Sequence, residues 1–373
     1  MKIAPFKLER YFDKYEFTAP YLLSSSDCEP FELNELLQLA DDKTRAAWGH
    51  LKLGYTESKG NPSLREEIAK LHDNISSDDV LVLVPEEGIF ISMNVLLNKG
   101  DHVVTTFPGY QSLYQIAEDM GCSVSKWIPD SNLEFNFEDL AMLVKDTTKL
   151  IVINFPHNPT GATISTDTLQ QIINLAREKG ITIFSDEMYR LMEHKVDDRL
   201  PSISDLYENS ISLFGLSKTF GLPGLRIGWL TTQNKKFMRS LTEFKDYTTI
   251  CNNAPGEYLG IIALQNKQTL IDRSLQIIRT NLSLLESFAS RNQDWFLWKT
   301  PKAGSIAFPS LRIDGAVEDF CKDLVNKKGV MLLPHTVYDF DRPHVRIGFG
   351  RKNFPQALRF FEQFIEERKV ATR

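Results

Sequence analysis

Between residues 61 and 232, short apolar runs alternate with amphipathic ones, and this alternation limits the fold more than any other feature of the chain. Leu150–Phe155, Ile181–Phe184 and Ile211–Phe214 are almost continuously apolar yet too short for helices. Such runs suit strands buried on both faces. Val80–Val84, Val103–Phe107, Val124–Ile128 and Ile227–Thr232 read the same way. Between them lie helical patterns. Asn61-Pro62 opens one with Leu64, Ile68 and Leu71 on one face; others reach Asn98 and Met120, and one runs from about Thr166 to Lys179. Gly180 stops the last as a left-handed cap. The class is therefore α/β: a mostly parallel sheet covered by helices on both faces, a three-layer α/β/α unit.

At 373 residues the chain exceeds one small core. A long helical pattern from about Gly256 to Arg291 reads as one element joining domains, and residues 292–373 give two or three strands and two helices. The expected division is a segment 1–44 packing with the small unit, a large domain 45–270 and a small α+β domain 271–373. The net charge of −6, without a long run of like charges, argues against a nucleic-acid or anionic-membrane surface. No stretch is apolar enough to span a bilayer, and the N-terminus lacks a signal-peptide core. Cys28, Cys122, Cys251 and Cys321 lie far apart, and the seven histidines are scattered, so neither a disulfide framework nor a metal site is expected. A reducing cytoplasm fits best.

The polar residues that break the pattern fall at strand ends. Phe107-Pro108-Gly109-Tyr110 follows one strand and Pro156–Gly161 another; Ser185–Tyr189 and Gly215–Lys218 follow two more. In an open parallel sheet the ligand crevice lies along that carboxyl edge. Each motif alone is ordinary turn chemistry. Four together indicate a site.

Lys218 stands in Ser217-Lys218-Thr219-Phe220-Gly221-Leu222-Pro223-Gly224-Leu225-Arg226, an amine that can trap an aldehyde and a guanidinium that can clamp a phosphate. With the Asn158 turn, Asp186, Tyr189 and Arg346 in order, the chain resembles the class I/II aminotransferases, the aspartate-aminotransferase-like branch of the fold-type I pyridoxal-phosphate enzymes. The resemblance spans about residues 50 to 350. It implies that Lys218 forms a Schiff base with pyridoxal 5'-phosphate and that Asp186 holds the ring nitrogen protonated. It also places Asn158 and Tyr189 at the phenolic oxygen, Tyr110 on the ring face and Arg226 at the phosphate. Amides at a helix N-terminus would complete the phosphate cradle. Where relatives have glycine and a small residue this chain has Val84-Pro85, so only the Glu86 and Glu87 amides remain; Gly215 stands where relatives often carry a phosphate-binding serine. Arg346 matches the residue that binds the substrate's α-carboxylate, with Asn158 beside it. Tyr55, in Leu53–Pro62, matches a tyrosine that reaches the neighbouring subunit's phosphate, which implies a homodimer with shared sites.

The implied reaction is ping-pong transfer of an amino group from an amino acid to a 2-keto acid, with Lys218 as the proton-moving group. The same scaffold supports elimination and decarboxylation. Leu8–Tyr15 and Gly54–Gly60 are also similar to relatives that cyclise arginine-derived amino acids, of the capreomycidine-synthase kind, so a lyase or cyclase outcome stays open. A sensor that binds the cofactor without turnover is a third reading, although the chain leaves no room for a DNA-binding module before the sheet. Ser24–Asp27 and Trp48 are candidate pocket residues for the side chain.

Overall fold

The computed structural model describes residues 2–371. Seven strands form the large sheet: β1 (Val80–Leu83), β2 (His102–Thr106), β3 (Ser123–Trp127), β4 (Thr148–Asn154), β5 (Thr182–Asp186), β6 (Ser210–Gly215) and β7 (Gly228–Thr231). Their spatial order is β1-β7-β6-β5-β4-β2-β3. The pairs β2/β3, β2/β4, β4/β5 and β5/β6 are parallel. β7 is antiparallel to both β6 and β1, so it alone runs against the others. Every residue of β1, β2, β5, β6 and β7 is buried, which accounts for runs without polar alternation.

The helix expected from about Thr166 spans Thr166–Lys179, with Ser165 capping the Thr168 amide and Gly180 at φ 65° ending it. The long helix expected from Gly256 to Arg291 is instead two helices, Ala254–Gln265 and Lys267–Arg291. Asn266 breaks it: its backbone leaves the helical region (ψ 23°), and its side-chain amide donates to the Ile262 carbonyl at 2.9 Å. An asparagine that satisfies backbone acceptors itself competes with the helical ladder. Apolar periodicity continues on both sides and hides the break.

The C-terminal region has more strands than expected, five short ones in two small sheets. Val345–Gly348 is the central strand of the three-stranded sheet, between Leu333–Pro334 and Ile306–Ala307. Arg346 therefore lies on a buried strand rather than a solvated edge. The chain between Tyr21 and Glu29 is hydrogen-bonded along this sheet. Met331 donates to the Tyr21 carbonyl at 2.9 Å, Gly348 to Leu23 at 2.9 Å and Glu29 to Gly350 at 2.8 Å. The N-terminal helix Lys7–Tyr15 packs on the same side through Leu8 and Phe12, against Tyr338 and its neighbours. Its start is tied to the large sheet, where the Lys7 amide donates to Gln111 Oε1 at 2.8 Å.

Gly348 allows this docking, because a Cβ there would overlap the Ser25 carbonyl oxygen. Gly348→Ala is expected to lower unfolding stability by ~2 kcal/mol or more, read as a lower urea midpoint. An unchanged midpoint would show that the Leu22–Ser26 segment is not held against this strand.

Candidate active site

Because only β7 is reversed, the chain leaving β1, β2, β4, β5 and β6 and the chain entering β7 meet at one sheet edge. A cavity of about 380 Å³ opens there. Lys218, Asp186, Asn158 and Tyr189 line it, as do Tyr110, Arg226, Glu86 and Arg346. Residues from four strand ends and from the small sheet are thus brought together.

Lys218 follows β6, and its Nζ donates to Ser26 Oγ at 2.7 Å. Burial holds its pKa below the usual lysine value, with the Asp27 carboxylate partly opposing the shift. Asp186 ends β5, and its Oδ1 accepts from the Met188 amide at 3.0 Å. Burial pushes its carboxyl up to about 6, while that amide and the Lys218 charge pull it back. A buried carboxylate at the same cavity as an amine can hold a cationic ring nitrogen by a charge-assisted hydrogen bond.

Asn154 builds the neighbouring turn. Its Nδ2 donates to the Asp186 carbonyl at 2.9 Å and its Oδ1 accepts from the Asn158 amide at 2.8 Å. Asn158 Oδ1 in turn accepts from Arg346 Nη1 at 3.2 Å. Arg346 Nε and Nη2 donate to the Ser24 carbonyl at 3.2 and 2.9 Å. Arg346 is 1% exposed and has no ion pair among the described residues. A buried guanidinium held only by neutral acceptors can receive an anion, since a buried charge is costly without a partner. The Tyr189 hydroxyl is also buried and finds no hydrogen-bond partner within the described protein. Such orphans ask for a ligand.

Tyr110 lines the cavity and packs on Phe6, ring centroids 5.0 Å apart. Its hydroxyl donates to Glu9 Oε1 at 3.4 Å, and burial raises its pKa well above the usual tyrosine value. Arg226, at φ 55°, reaches the cavity from an exposed turn and donates to the Pro223 carbonyl at 3.0 Å. Across from it begins the helix Pro85–Leu96, whose first-turn amides at Glu86 and Glu87 have no intrahelical acceptor. The Glu87 side chain turns away from the cavity and accepts from the Thr249 amide at 3.2 Å and hydroxyl at 2.7 Å.

One expected pocket position lies elsewhere. Trp48 packs on Tyr258, ring centroids 6.0 Å apart, because its helix faces the second core cluster. Tyr55 is 95% exposed on its loop and does not line this chain's cavity. Of the serine run, Ser25 and Ser26 line the cavity with Asp27, while Ser24 acts through its carbonyl. Sequence reading missed Glu9, Phe12 and Glu16, which the N-terminal helix and its end bring to the mouth. Their spacing is that of any surface helix, so no local signal marks them.

These features define a class of protein: an α/β fold with an amine, a buried carboxyl and anion-receiving guanidinium groups at one sheet edge. A family model described as aminotransferase class I and II matches residues 21–358, and the chain belongs to that family. A capreomycidine synthase of Streptomyces vinaceus is 27% identical over 351 residues, 92% of this chain and 88% of that protein. An aspartate aminotransferase of Sulfolobus acidocaldarius is 26% identical over 316 residues, 79% of this chain and 78% of that protein. The crystal structure of a PLP-dependent aminotransferase from Streptococcus suis superposes with a TM-score of 0.92 at 29% identity, covering 98% of this chain and 99% of that one. The fold is that of the fold-type I enzymes, and the cofactor is pyridoxal phosphate. The donor set fits this group: an amine for its aldehyde, a carboxyl for its nitrogen, an orphan hydroxyl, and free amides with a guanidinium for its phosphate.

Proposed function

We propose that this enzyme transfers an amino group between an α-amino acid and a 2-keto acid by a ping-pong mechanism. The observation that carries the reading is Arg346, a buried guanidinium without a carboxylate of its own, opening onto the cavity that holds Lys218 and Asp186. In this reading Arg346 takes the α-carboxylate of each substrate, with Asn158 fixing the guanidinium plane. When bound, pyridoxal phosphate supplies the electron sink that acidifies the substrate Cα. Asp186 holds the ring nitrogen; Asn158 and Tyr189 face the phenolic oxygen; Tyr110 covers the ring; Arg226 and the Glu86 and Glu87 amides take the phosphate. Lys218 Nζ anchors the aldehyde and then moves the proton on and off Cα. Its lowered pKa favours the neutral amine this task needs. Fixing the carboxylate sets which Cα bond is labile.

A second reading, a cyclase or lyase on the same residues, is favoured by the likeness to capreomycidine synthase. Product analysis separates the two: transfer releases a keto acid and consumes another, whereas cyclisation or elimination consumes no acceptor.

Lys218→Ala is expected to remain folded by circular dichroism, to lose the visible band of the bound cofactor and to lose turnover by ~10³-fold or more. Transfer at the parent rate would end the assignment.

The cavity's charges also bear on the donor's side chain. Its cations are Lys218, Arg226 and Arg346, each with a task, so none is spare for a second carboxylate. Three acids stand at the mouth: Glu9, Glu16 and Asp27. Asp27 is paired with Arg351 at 2.7 Å, whereas Glu16 has no ion pair among the described residues. Burial, then Asp27 and Glu9, push the Glu16 carboxyl above its usual value. A donor with a cationic side chain relieves that repulsion. kcat/KM for L-arginine, L-lysine or L-ornithine is expected to exceed that for L-aspartate by ~10-fold, and Glu16→Gln to erode the preference. A preference for L-aspartate would overturn this while leaving amino transfer standing.

Tyr55 and the exposed Leu53, Tyr247 and Ile250 fit a homodimer in which Tyr55 reaches the partner's phosphate. Sedimentation should then give twice the 42.7 kDa of the chain. A monomeric mass in active holoenzyme would remove that role.

A further inference from the structure

Three departures at the phosphate end of the cavity belong to one arrangement. The Pro85 ring packs into the gap between β6 and β7: a Cβ on Gly215 would stand 3.3 Å from Pro85 Cγ and 2.9 Å from the Gly228 Cα. A Cβ on Gly228 would stand 2.7 Å from Pro85 Cγ. A side chain at 215 would meet the Gly228 backbone first, then the Ile227 carbonyl and the Pro85 ring, and proline brings no N–H of its own. Two donors are absent from the cradle together. The next residue, Glu86, lines the same cavity as Arg226, the cation read above as the phosphate's. Ser112 Oγ donates to Glu86 Oε2 at 3.3 Å, and Tyr110 stands beside it. Glu9 on the N-terminal helix and Asp186 at the end of β5 press on it as like charges. Glu86 has no ion pair among the described residues. Burial first, and then those carboxylates, push it up to about 7, against the pull of Ser112 and Tyr110.

An ionised carboxylate beside a phosphate is repulsive, while a protonated one is a hydrogen-bond donor. We propose that Glu86 closes the phosphate cradle as a neutral carboxylic acid that donates to the cofactor's phosphate, so that above neutrality holding the cofactor takes up a proton. The inference rests on reading this cavity as the cofactor site with Arg226 at the phosphate. It assigns to the Glu86 side chain a role beyond that of its amide.

The test is the equilibrium dissociation constant of pyridoxal phosphate for the full-length protein, followed by tryptophan fluorescence from mildly acidic to mildly alkaline pH. For the parent relative to Glu86→Gln, the ratio of dissociation constants should rise above neutrality, by up to ~10-fold per pH unit. Below neutrality the two should bind alike, because an amide donates as the acid does. Ser112→Ala, which removes a donor to the ionised form, should move the rise to higher pH. Pyridoxal without its phosphate should show no such difference between parent and variant. At a pH more than a unit above neutrality, calorimetry of pyridoxal phosphate binding in two buffers of different ionisation enthalpy should count about one more proton taken up by the parent than by Glu86→Gln. Coinciding pH profiles for parent and Glu86→Gln, or the same difference with pyridoxal, would overturn the proposal. If neither protein bound the cofactor, or if Lys218→Ala kept the visible band, the underlying reading of the cavity would fail instead.

Discussion

The structure turns on one buried guanidinium. Arg346 is supplied by the central strand of the small sheet, fastened by the Ser24 carbonyl of the N-terminal segment and joined to Asn158 at the edge of the large sheet. Three distant stretches of chain thus meet on one planar cation. Burying that charge among neutral acceptors is costly, and well-packed apolar residues would serve stability as well or better. The arrangement makes sense where the missing anion arrives with a ligand. It also sets the direction from which a carboxylate enters, because Asn158 and Ser24 fix the guanidinium plane.

Around this anchor, strand direction does the positioning. Parallel strands deliver their carboxyl ends to one edge, so Asp186, the Asn158 turn and Lys218 need no long-range design beyond the sheet order. The reversed β7 adds what parallel strands alone could not: it brings the chain before it, with Arg226, to that same edge. The helix Pro85–Leu96 starts there because β1 pairs with β7 and points the same way as the other strands. Arg226 and the Glu86 and Glu87 amides therefore gather from a strand entry and a helix start, while Asp186 and Lys218 come from strand exits.

Much of this was legible in the sequence because it depends on local pattern. Continuous apolar runs such as Leu150–Phe155 mark strands buried on both faces, and Gly180 marks a helix end by its left-handed backbone. The sheet-edge residues were legible for the same reason, since each follows such a run directly. What escaped depends on tertiary placement. The Asn266 break is invisible because apolar periodicity continues through it. The two-residue strands of the C-terminal region are too short to carry a period. Glu9 and Glu16 look like the solvated face of a helix until Leu8 and Phe12 dock that helix against the small sheet. Trp48 is half-buried and rests on Tyr258 against a core rather than lining the cavity, a placement set by how its helix docks.

The cavity also concentrates groups that a protein selected for stability alone would avoid. The Tyr189 and Ser217 hydroxyls are buried without partners, Asp186 is held above the usual carboxylate range, and Lys218 is held below the usual lysine value. Each carries a desolvation cost that its neighbours offset at most in part. Some buried polar groups elsewhere are fully engaged by their neighbours. His102 bonds Thr148 at 2.7 Å and Ser125 at 2.8 Å across three strands, and Asp205 accepts the Asp73 and Asn74 amides beside His72. What separates this sheet edge from a packing defect is that an amine, a buried carboxyl and a guanidinium without an ion pair among the described residues share one cavity. Local rules are broken where function needs them broken, and the surrounding fold carries the cost.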